Sequence, residues 1–434
     1  MIVQRTEIHI IKESNPVYNW ILEECLRSRN LYNRVLYVYR QAFTGKHDNI
    51  PEFKDIINHD KFIASFALVN RLNEIKDIDF CSMMKKNGAQ QIVFQVDRTM
   101  KSWFAALKSY KRDSSKFRGR PRIPSYKKKD ELNCLTYTTA DAKLQKDGTI
   151  NLRRDIKLPI HTNLSSFQQV RLIPKTGYIQ VEIIYNKDIN ENHLDQARAI
   201  GIDLGLNNLM AITSNIGNIS NLVNGRPLKS INQYYNKHKA HLMSLLLKGK
   251  LKSSRRLRRL EMKRMMKIKD YLHKTSRRIV ELMEQNNIGT CFIGYNKGWK
   301  QEINIRKKNN QNFVSIPYSL LINMLKYKIE EKGGHLIELN EAYTSKCSFL
   351  DNEEVCKHET YKGKRIKRGL YLSNKKKVIN ADINGSLNIL KRGMKFGVYQ
   401  VCDRILLPTV NERRSRENLE AILFYKKQML DQKK

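Results

Sequence analysis

Acidic residues are scarce in this chain. Its 434 residues carry 42 Asp and Glu against 81 Lys and Arg, a net charge of +39. Solubility needs a small fraction of that, so the excess points to a polyanionic partner, and nucleic acid is the obvious one. Long apolar runs are also missing. No stretch approaches the ~20 apolar residues that span a bilayer. The segment Met1 to Glu13 alternates and carries charge, unlike a signal peptide. The expectation is therefore a cytoplasmic protein with no membrane partner. Cysteine is sparse: seven residues, an odd and scattered set, fit reduced thiols better than a disulfide framework. There is no Walker A loop, dinucleotide fingerprint or nucleophile elbow, which leaves ATP-driven and acyl-transfer chemistry without support. What the chain does have is 41% hydrophobic residues, enough for two or three domains with real cores.

The N-terminal third changes character twice. Ile2 to Ile11 alternates as a strand does, and Asn15-Pro16 then starts a helix with proline in its first turn. Apolar and aromatic positions recur at helical spacing through Phe43: Trp20, Ile21, Cys25, Leu31, Leu36 and Tyr39. Further helices are expected from about Lys61 to Asn73 and from Ala89 to Tyr110, the second carrying Met100, Trp103, Phe104 and Leu107. This aromatic stripe fits a core better than a base-stacking platform. From Lys116 to Lys129 the chain turns basic, and proline and glycine forbid a continuous helix. It is either a solvated linker or an extended strip tracking a phosphate backbone. The interleaved Phe117 and Tyr126 favour the strip, with Arg118, Arg120, Arg122, Tyr126 and Lys127 as candidate nucleic-acid contacts. Strand character returns between residues 133 and 186, around the turn signal Lys146-Asp147-Gly148-Thr149.

The most informative stretch is Gly201-Ile202-Asp203-Leu204-Gly205 with its sequel Leu209 to Thr213, two short strands joined by a tight turn. Asp203 would stand on an otherwise apolar sheet, where a carboxylate is costly unless it is paired or binds a metal. A third strand is expected from Gly217 to Val223. A basic helical segment follows from Ser230 to about Gln285, with few acids to compensate it; Arg255 and Arg258 are candidate nucleic-acid contacts there. Thr290 to Gly294 reads as a buried strand, Pro317 opens a helix ended by Gly333-Gly334, and His335 to Glu341 reads as another strand. Strand, helix, strand is a parallel crossover unit. Near the end, Asp382 opens an amphipathic helix with Ile383, Leu387 and Leu390 on one side.

Asn380-Ala381-Asp382-Ile383-Asn384-Gly385 closely resembles the third RuvC motif of the TnpB family, and Gly201-Ile202-Asp203-Leu204-Gly205 resembles its first. These are transposon-encoded, RNA-guided DNA nucleases related to the type V CRISPR effectors. The resemblance runs over most of residues 160–392. It implies an α/β and β fold: an RNase H-like (RuvC) nuclease domain plus an N-terminal β-barrel (wedge) domain interrupted by a helical recognition lobe. The implied boundaries are 1–14 and 130–192 for the barrel, 15–129 for the helical insertion with its basic linker, and 193–342 with 378–410 for RuvC. A small target-nucleic-acid-binding insertion would take 343–377, and a charged tail 411–434.

The implied chemistry is phosphodiester hydrolysis by a carboxylate cluster holding two Mg²⁺ ions about 3.5–4 Å apart. Asp203 and Asp382 supply two of the carboxylates. The family usually takes a third, a Glu, from the end of the fourth strand, but Ile293-Gly294-Tyr295-Asn296 has no acid there. Parallel neighbouring strands bring their ends together, so Glu341, ahead of the family-like Tyr343-Thr344-Ser345 segment, can replace it. This resembles a branch with a relocated RuvC glutamate. Glu338 competes, but lies on the opposite strand face. The family often carries a zinc ribbon of two Cys-x-x-Cys pairs; here only Cys347, Cys356 and His358 fall in the insertion, which argues against Zn²⁺. Lys297, Trp299, Lys300, Lys364 and Arg365 complete the candidate nucleic-acid contacts. The expected partners are a guide RNA derived from the transposon end and double-stranded target DNA beside a short flanking motif, in a prokaryotic cytoplasm and at the nucleoid when bound. A nuclease-inactive RNA-guided DNA-binding protein is the alternative, and an unguided RuvC-like nuclease or transposase a third reading.

Overall fold

The computed structural model describes residues 2–58, 62–153, 156–189, 194–217, 219–296, 315–367, 369–394 and 409–411. Lys297, Trp299, Lys300 and the tail from residue 412 lie outside them. The chain forms two compact units that divide between Asp188 and Ile189.

In the first unit, strand β1 (Ile2–Lys12) leads into helix α1 (Val17–Thr44). The Asn15 side chain accepts the Val17 N–H at 3.0 Å, and Gly45, at φ 74°, ends the helix in the left-handed region. Helices α2 (Ser65–Glu74), α3 (Ile78–Cys81) and α4 (Lys86–Arg112) follow. The aromatic stripe is core: Tyr39, Phe43, Phe62, Trp103 and Phe104 stack edge-on or tilted with centroids 4.8–6.2 Å apart. Then come β2 (Leu135–Thr138), β3 (Lys143–Leu144), β4 (Ile150–Arg153), β5 (Ile156–Leu158), β6 (Gln169–Lys175) and β7 (Tyr178–Asp188). Strands β1, β7, β6 and β2 make one antiparallel sheet, and β3, β4 and β5 a second. β1 pairs with β7 along its whole length, from Ile2 opposite Asp188 to Lys12 opposite Tyr178, so the helices are spliced between partners. Both sheets and the helices share one apolar core.

In the second unit, β8 (Asp195–Leu204), β9 (Asn208–Ser214) and β10 (Ser220–Asn224) form an antiparallel meander. Helices α5 (Arg226–Lys248) and α6 (Arg255–Gln285) follow. The basic helical segment expected from Ser230 to about Gln285 is thus two packed helices, the first starting at Arg226. Gly249 stops the first, and Ser254 caps the second by accepting the Leu257 N–H at 3.1 Å. Strand β11 (Ile288–Gly294), helix α7 (Tyr318–Glu330) and strand β12 (His335–Leu339) come next. β11 runs parallel to β8, and β12 parallel to β11. The order β12-β11-β8-β9-β10 is the 5-4-1-2-3 sheet of an RNase H-like domain, with a short β16 (Thr409–Asn411) parallel to β10 at the outer edge. Before β16, β13 (Lys364–Lys367), β14 (Leu370–Leu372) and β15 (Val378–Asn380) make a small sheet that leads into helix α8 (Ala381–Gly393).

The sheet buries both faces. Ile200, Ile202 and Leu204 pack with α6 and α7, whereas Ala199 packs with Ile389 and Leu390 of α8. A strand alternates with period two, so Gly201 and Asp203 share the α8 face with Ala199. Among the described residues, no helix is long and apolar enough to cross a membrane.

Candidate functional site

Asp203 sits near the end of the central strand, directly after the buried run Ala199 to Ile202 of β8. α8 comes down onto it closely. Ser386 donates to the Gly201 carbonyl at 2.7 Å and bonds Thr213 at 2.9 Å. Gly385 faces Asp203 itself: a Cβ there would lie 2.8 Å from its Oδ2, so a larger residue would have to displace the carboxylate. Asp382 sits in the first turn of α8. Asn380 caps that turn, its side chain accepting the N–H groups of Asp382 at 2.9 Å and Ile383 at 3.2 Å. Asp382 Oδ2 accepts from Asn208 Nδ2 at 2.7 Å, and Arg365 on β13 stands 3.8 Å from Oδ1.

Glu341 lies two residues past the end of β12, which closes at Leu339 rather than at Glu341 as expected. Its neighbour across the sheet is Gly294, where the fourth strand lacks its acid. A Cβ at Gly294 would lie 3.2 Å from Glu341 Cβ and 2.6 Å from Ile389 Cδ1. The space beside the fourth strand's end is therefore filled from the fifth. Glu338, the competing candidate, is exposed in register with Ile293.

These positions bring three carboxylates into electrostatic range. Burial, then the charges of Asp382 and Glu341, push the Asp203 carboxyl well above the usual carboxylate range; Arg365 and the Leu204 N–H pull it back in part. Burial also raises Glu341. Tyr318, buried at the start of α7, is raised by burial and then by the charges of Asp203 and Glu341. Its hydroxyl donates to the Gly205 carbonyl at 2.7 Å. Acid oxygens that repel one another are a donor set suited to a hard divalent cation. Among the described residues, however, no three His, Cys, Asp or Glu side chains stand close enough together, as placed, to hold a metal ion.

The remaining candidates are dispersed. The basic strip is pinned rather than loose. Asn33 exchanges two hydrogen bonds with the Lys127 backbone at 2.8 and 2.9 Å, and Trp103 Nε1 donates to the Pro121 carbonyl at 3.3 Å. Arg118, Arg120 and Arg122 are exposed. Tyr126 and Lys127 are engaged within the protein: Arg40 stacks over Tyr126 at 4.7 Å and Lys127 over Tyr32 at 4.9 Å. Arg255 is exposed and Arg258 half-buried in the first turn of α6, and Lys364 and Arg365 are exposed on β13. In the insertion, Cys356 Sγ lies 3.3 Å from His358 Nε2, while Cys347 Sγ donates to the Cys356 carbonyl at 3.5 Å. Sequence reasoning missed Asn208, although it stands five residues past Asp203, directly before the Leu209 to Thr213 run. It also missed Tyr318, which its helix-start position marked only as structural.

The strand order and the carboxylates at one end of the sheet define a RuvC-like nuclease fold. Known proteins agree. A family model described as a probable transposase, OrfB_IS605, matches residues 179–300, and a model of the Cas12f1-like TNB domain matches residues 318–389. The TnpB-like protein ORF457 of Acidianus two-tailed virus is 25% identical over 214 residues, 47% of this chain and 44% of that protein. The chain thus matches less than half the length of that curated relative. Among solved structures, a Cas12f1-sgRNA-target DNA complex covers 85% of this chain and 82% of its own at 13% identity and TM-score 0.45. A CRISPR-Cas12f ternary complex covers 85% and 81% at 14% identity and TM-score 0.34. The chain is thus similar to TnpB-type proteins over residues 179–300 and to the Cas12f1-like TNB domain over residues 318–389.

Proposed function

We propose that this protein is an RNA-guided, Mg²⁺-dependent DNA endonuclease that cleaves double-stranded DNA beside a short flanking motif. The observation that supports the reading is that Asp203, Glu341 and Asp382 lie at one end of an RNase H-like sheet, near enough for the last two charges, with burial, to raise the first. Asp203, Glu341 and Asp382 would hold the metal. When bound, Mg²⁺ ions in such a site activate water and stabilise the leaving oxygen of a phosphodiester. The chain's own residues orient the carboxylates: Asn380 fixes the helix turn that carries Asp382, and Gly385 lets Asp203 meet α8. Arg365 offers a cation beside the site that can meet a phosphate. The net charge of +39 supports guide RNA and target DNA as partners. A guide RNA from the transposon end would supply sequence specificity by pairing, and the protein would read the flanking motif.

The test is reconstitution with the RNA that co-purifies. A duplex matched to that RNA, beside randomised flanking sequence, should be cut with Mg²⁺. Asp203→Ala, Glu341→Ala and Asp382→Ala should each remove cutting and leave guide-dependent binding intact. Guide-dependent binding without cutting by the unmodified protein would make it a programmable DNA-binding protein instead. Cutting that survives Asp203→Ala would end the site assignment.

A further inference from the structure

The turn from Leu204 to Asn208 carries a side chain that the three-carboxylate reading does not use. Asn208 opens β9, and its Nδ2 donates to Asp382 Oδ2 at 2.7 Å across the gap between the first strand pair and α8. The turn is held on several sides. Tyr318 of α7 donates to the Gly205 carbonyl at 2.7 Å, and Gly205 N–H reaches the Leu209 carbonyl at 3.2 Å. At the start of α5, the Gly225 N–H donates to the Asn207 carbonyl at 2.7 Å, and Lys229 Nζ donates to Asn207 Oδ1 at 2.8 Å. Asn208 therefore projects from a fixed platform onto a carboxylate whose own helix turn is capped by Asn380.

The chemistry of the group matters. A primary amide can orient a carboxylate by donating one hydrogen bond, and it brings no charge of its own. A lysine in its place would neutralise the cluster, and a carboxylate would add to the repulsion. With Oδ2 held by Asn208, Oδ1 is left toward the side where Arg365 stands 3.8 Å away. We propose that Asn208 is a positioning residue that locks the Asp382 carboxylate so that one oxygen is presented to a divalent cation, with Tyr318 and Lys229 holding the turn that carries it. This rests on the metal-dependent reading above, and goes beyond it by assigning the residue that sets the geometry of Asp382. Hydrogen-bond partners of metal ligands are worth about 10–100-fold in metal affinity.

Terbium luminescence of the full-length protein without RNA tests this apart from cleavage, because Tyr318 is a buried phenol beside Asp203 and Glu341 that can sensitise a bound lanthanide. The unmodified protein should give a saturable Tb³⁺ signal, removed by Asp203→Asn and displaced by Mg²⁺. Asn208→Ala and the volume-preserving Asn208→Leu should weaken both Tb³⁺ and Mg²⁺ by about 10–100-fold. Asn208→His, which keeps a ring N–H donor at the same distance from the backbone, should recover part of the loss. Thermal melting identifies any variant that fails to fold, in which case the folded member of the Ala and Leu pair decides. Wild-type affinity in a folded Asn208→Ala or Asn208→Leu overturns the assignment of Asn208 while leaving the metal site in place. A signal in the unmodified protein that survives Asp203→Asn overturns the metal reading itself, and Asn208 with it.

Discussion

The nuclease-like unit holds two groups of carboxylates, and they are built on opposite terms. At the end of the sheet, burial and then the charges of Asp382 and Glu341 push the Asp203 carboxyl upward. In the small insertion, every acid oxygen of Asp351 and Glu353 has a donor. Glu353, buried, accepts the backbone N–H of Ser348 at 2.7 Å and of Lys362 at 2.9 Å. Asp351 accepts from Ser348 Oγ at 2.6 Å and from the Asn374 and Lys375 N–H groups at 2.7 and 3.3 Å. Burial raises Asp351, but these donors outweigh it and its carboxyl lies below its ordinary range. The same side-chain chemistry thus marks a structural knot where donors outweigh burial and a candidate reactive centre where burial and neighbouring charge outweigh the donors.

The sharpest way to break this comparison is to move the third acid. Gly294→Glu puts a side chain where Glu341 and Ile389 already stand, and overpacking of this kind costs about 1–3 kcal/mol. The single variant should lose cleavage by about a hundredfold or more, the scale of losing one preorganised polar group in an active site. Removing the obstructing side chain as well, in Gly294→Glu with Glu341→Gly, should regain part of that activity, since Ile389 meets the new Cβ only with the end of a flexible chain. Cleavage assays on the guided duplex measure both. Equal activity of Glu341→Gly alone would show that the glutamate has no part in the site.

How much of this was legible in the chain depends on how local the determinant is. Asp203 and Asp382 stood out because one ends an apolar run and the other opens a helix whose apolar positions Ile383, Leu387 and Leu390 follow helical spacing. The absent acid at Gly294 was also readable, and the parallel crossover pattern offered Glu341 as its neighbour; what the pattern did not show is that β12 closes at Leu339, two residues short of Glu341. The break between α5 and α6 had its signals in Gly249 and Ser254, masked by a run of Lys and Arg that continues through it. The donors to Asp351 and Glu353 lie up to 24 residues away and, the Ser348 hydroxyl apart, are backbone N–H groups, which no residue type advertises. The strip from Lys116 to Lys129 looked free for the same reason: its anchors, Asn33 and Trp103, belong to α1 and α4.

Substitutions that remove charge should therefore act with opposite sign on the two groups. Asp203→Asn relieves a carboxylate whose folded-state pKa is raised. Such a group weakens the fold as pH rises through that pKa, so without divalent metal the variant should melt about 2–4 °C higher at neutral pH. The gain should vanish below the pKa of the unfolded chain. Glu353→Gln leaves a backbone N–H without its charged acceptor at a buried position, which costs about 1–3 kcal/mol and should lower the melting temperature. Asp351, held low, contributes stability above the unfolded pKa that is lost as pH falls through its folded value, so acid should weaken the insertion while it relaxes the sheet end. Thermal melts across pH in a chelating buffer read all three, and shifts of the same sign in Asp203→Asn and Glu353→Gln would dissolve the distinction.

Arg365 links the two groups, because it rises from the insertion's sheet and stands beside Asp382. It is half exposed, so solvent screens it and its effect should be the smallest. Its charge lowers the Asp203 carboxyl. Removing it in Arg365→Ala should therefore raise that carboxyl further and move the acid limb of the cleavage–pH profile to higher pH, with the rate at high pH changed about tenfold or less if the guanidinium also meets a phosphate. Arg365→Lys keeps the charge but not the bidentate fork, so it should restore the pH profile and only part of the rate. If the acid limb stays in place in Arg365→Ala, the insertion supplies the site with no field, and the two carboxylate groups are neighbours in sequence and sheet alone.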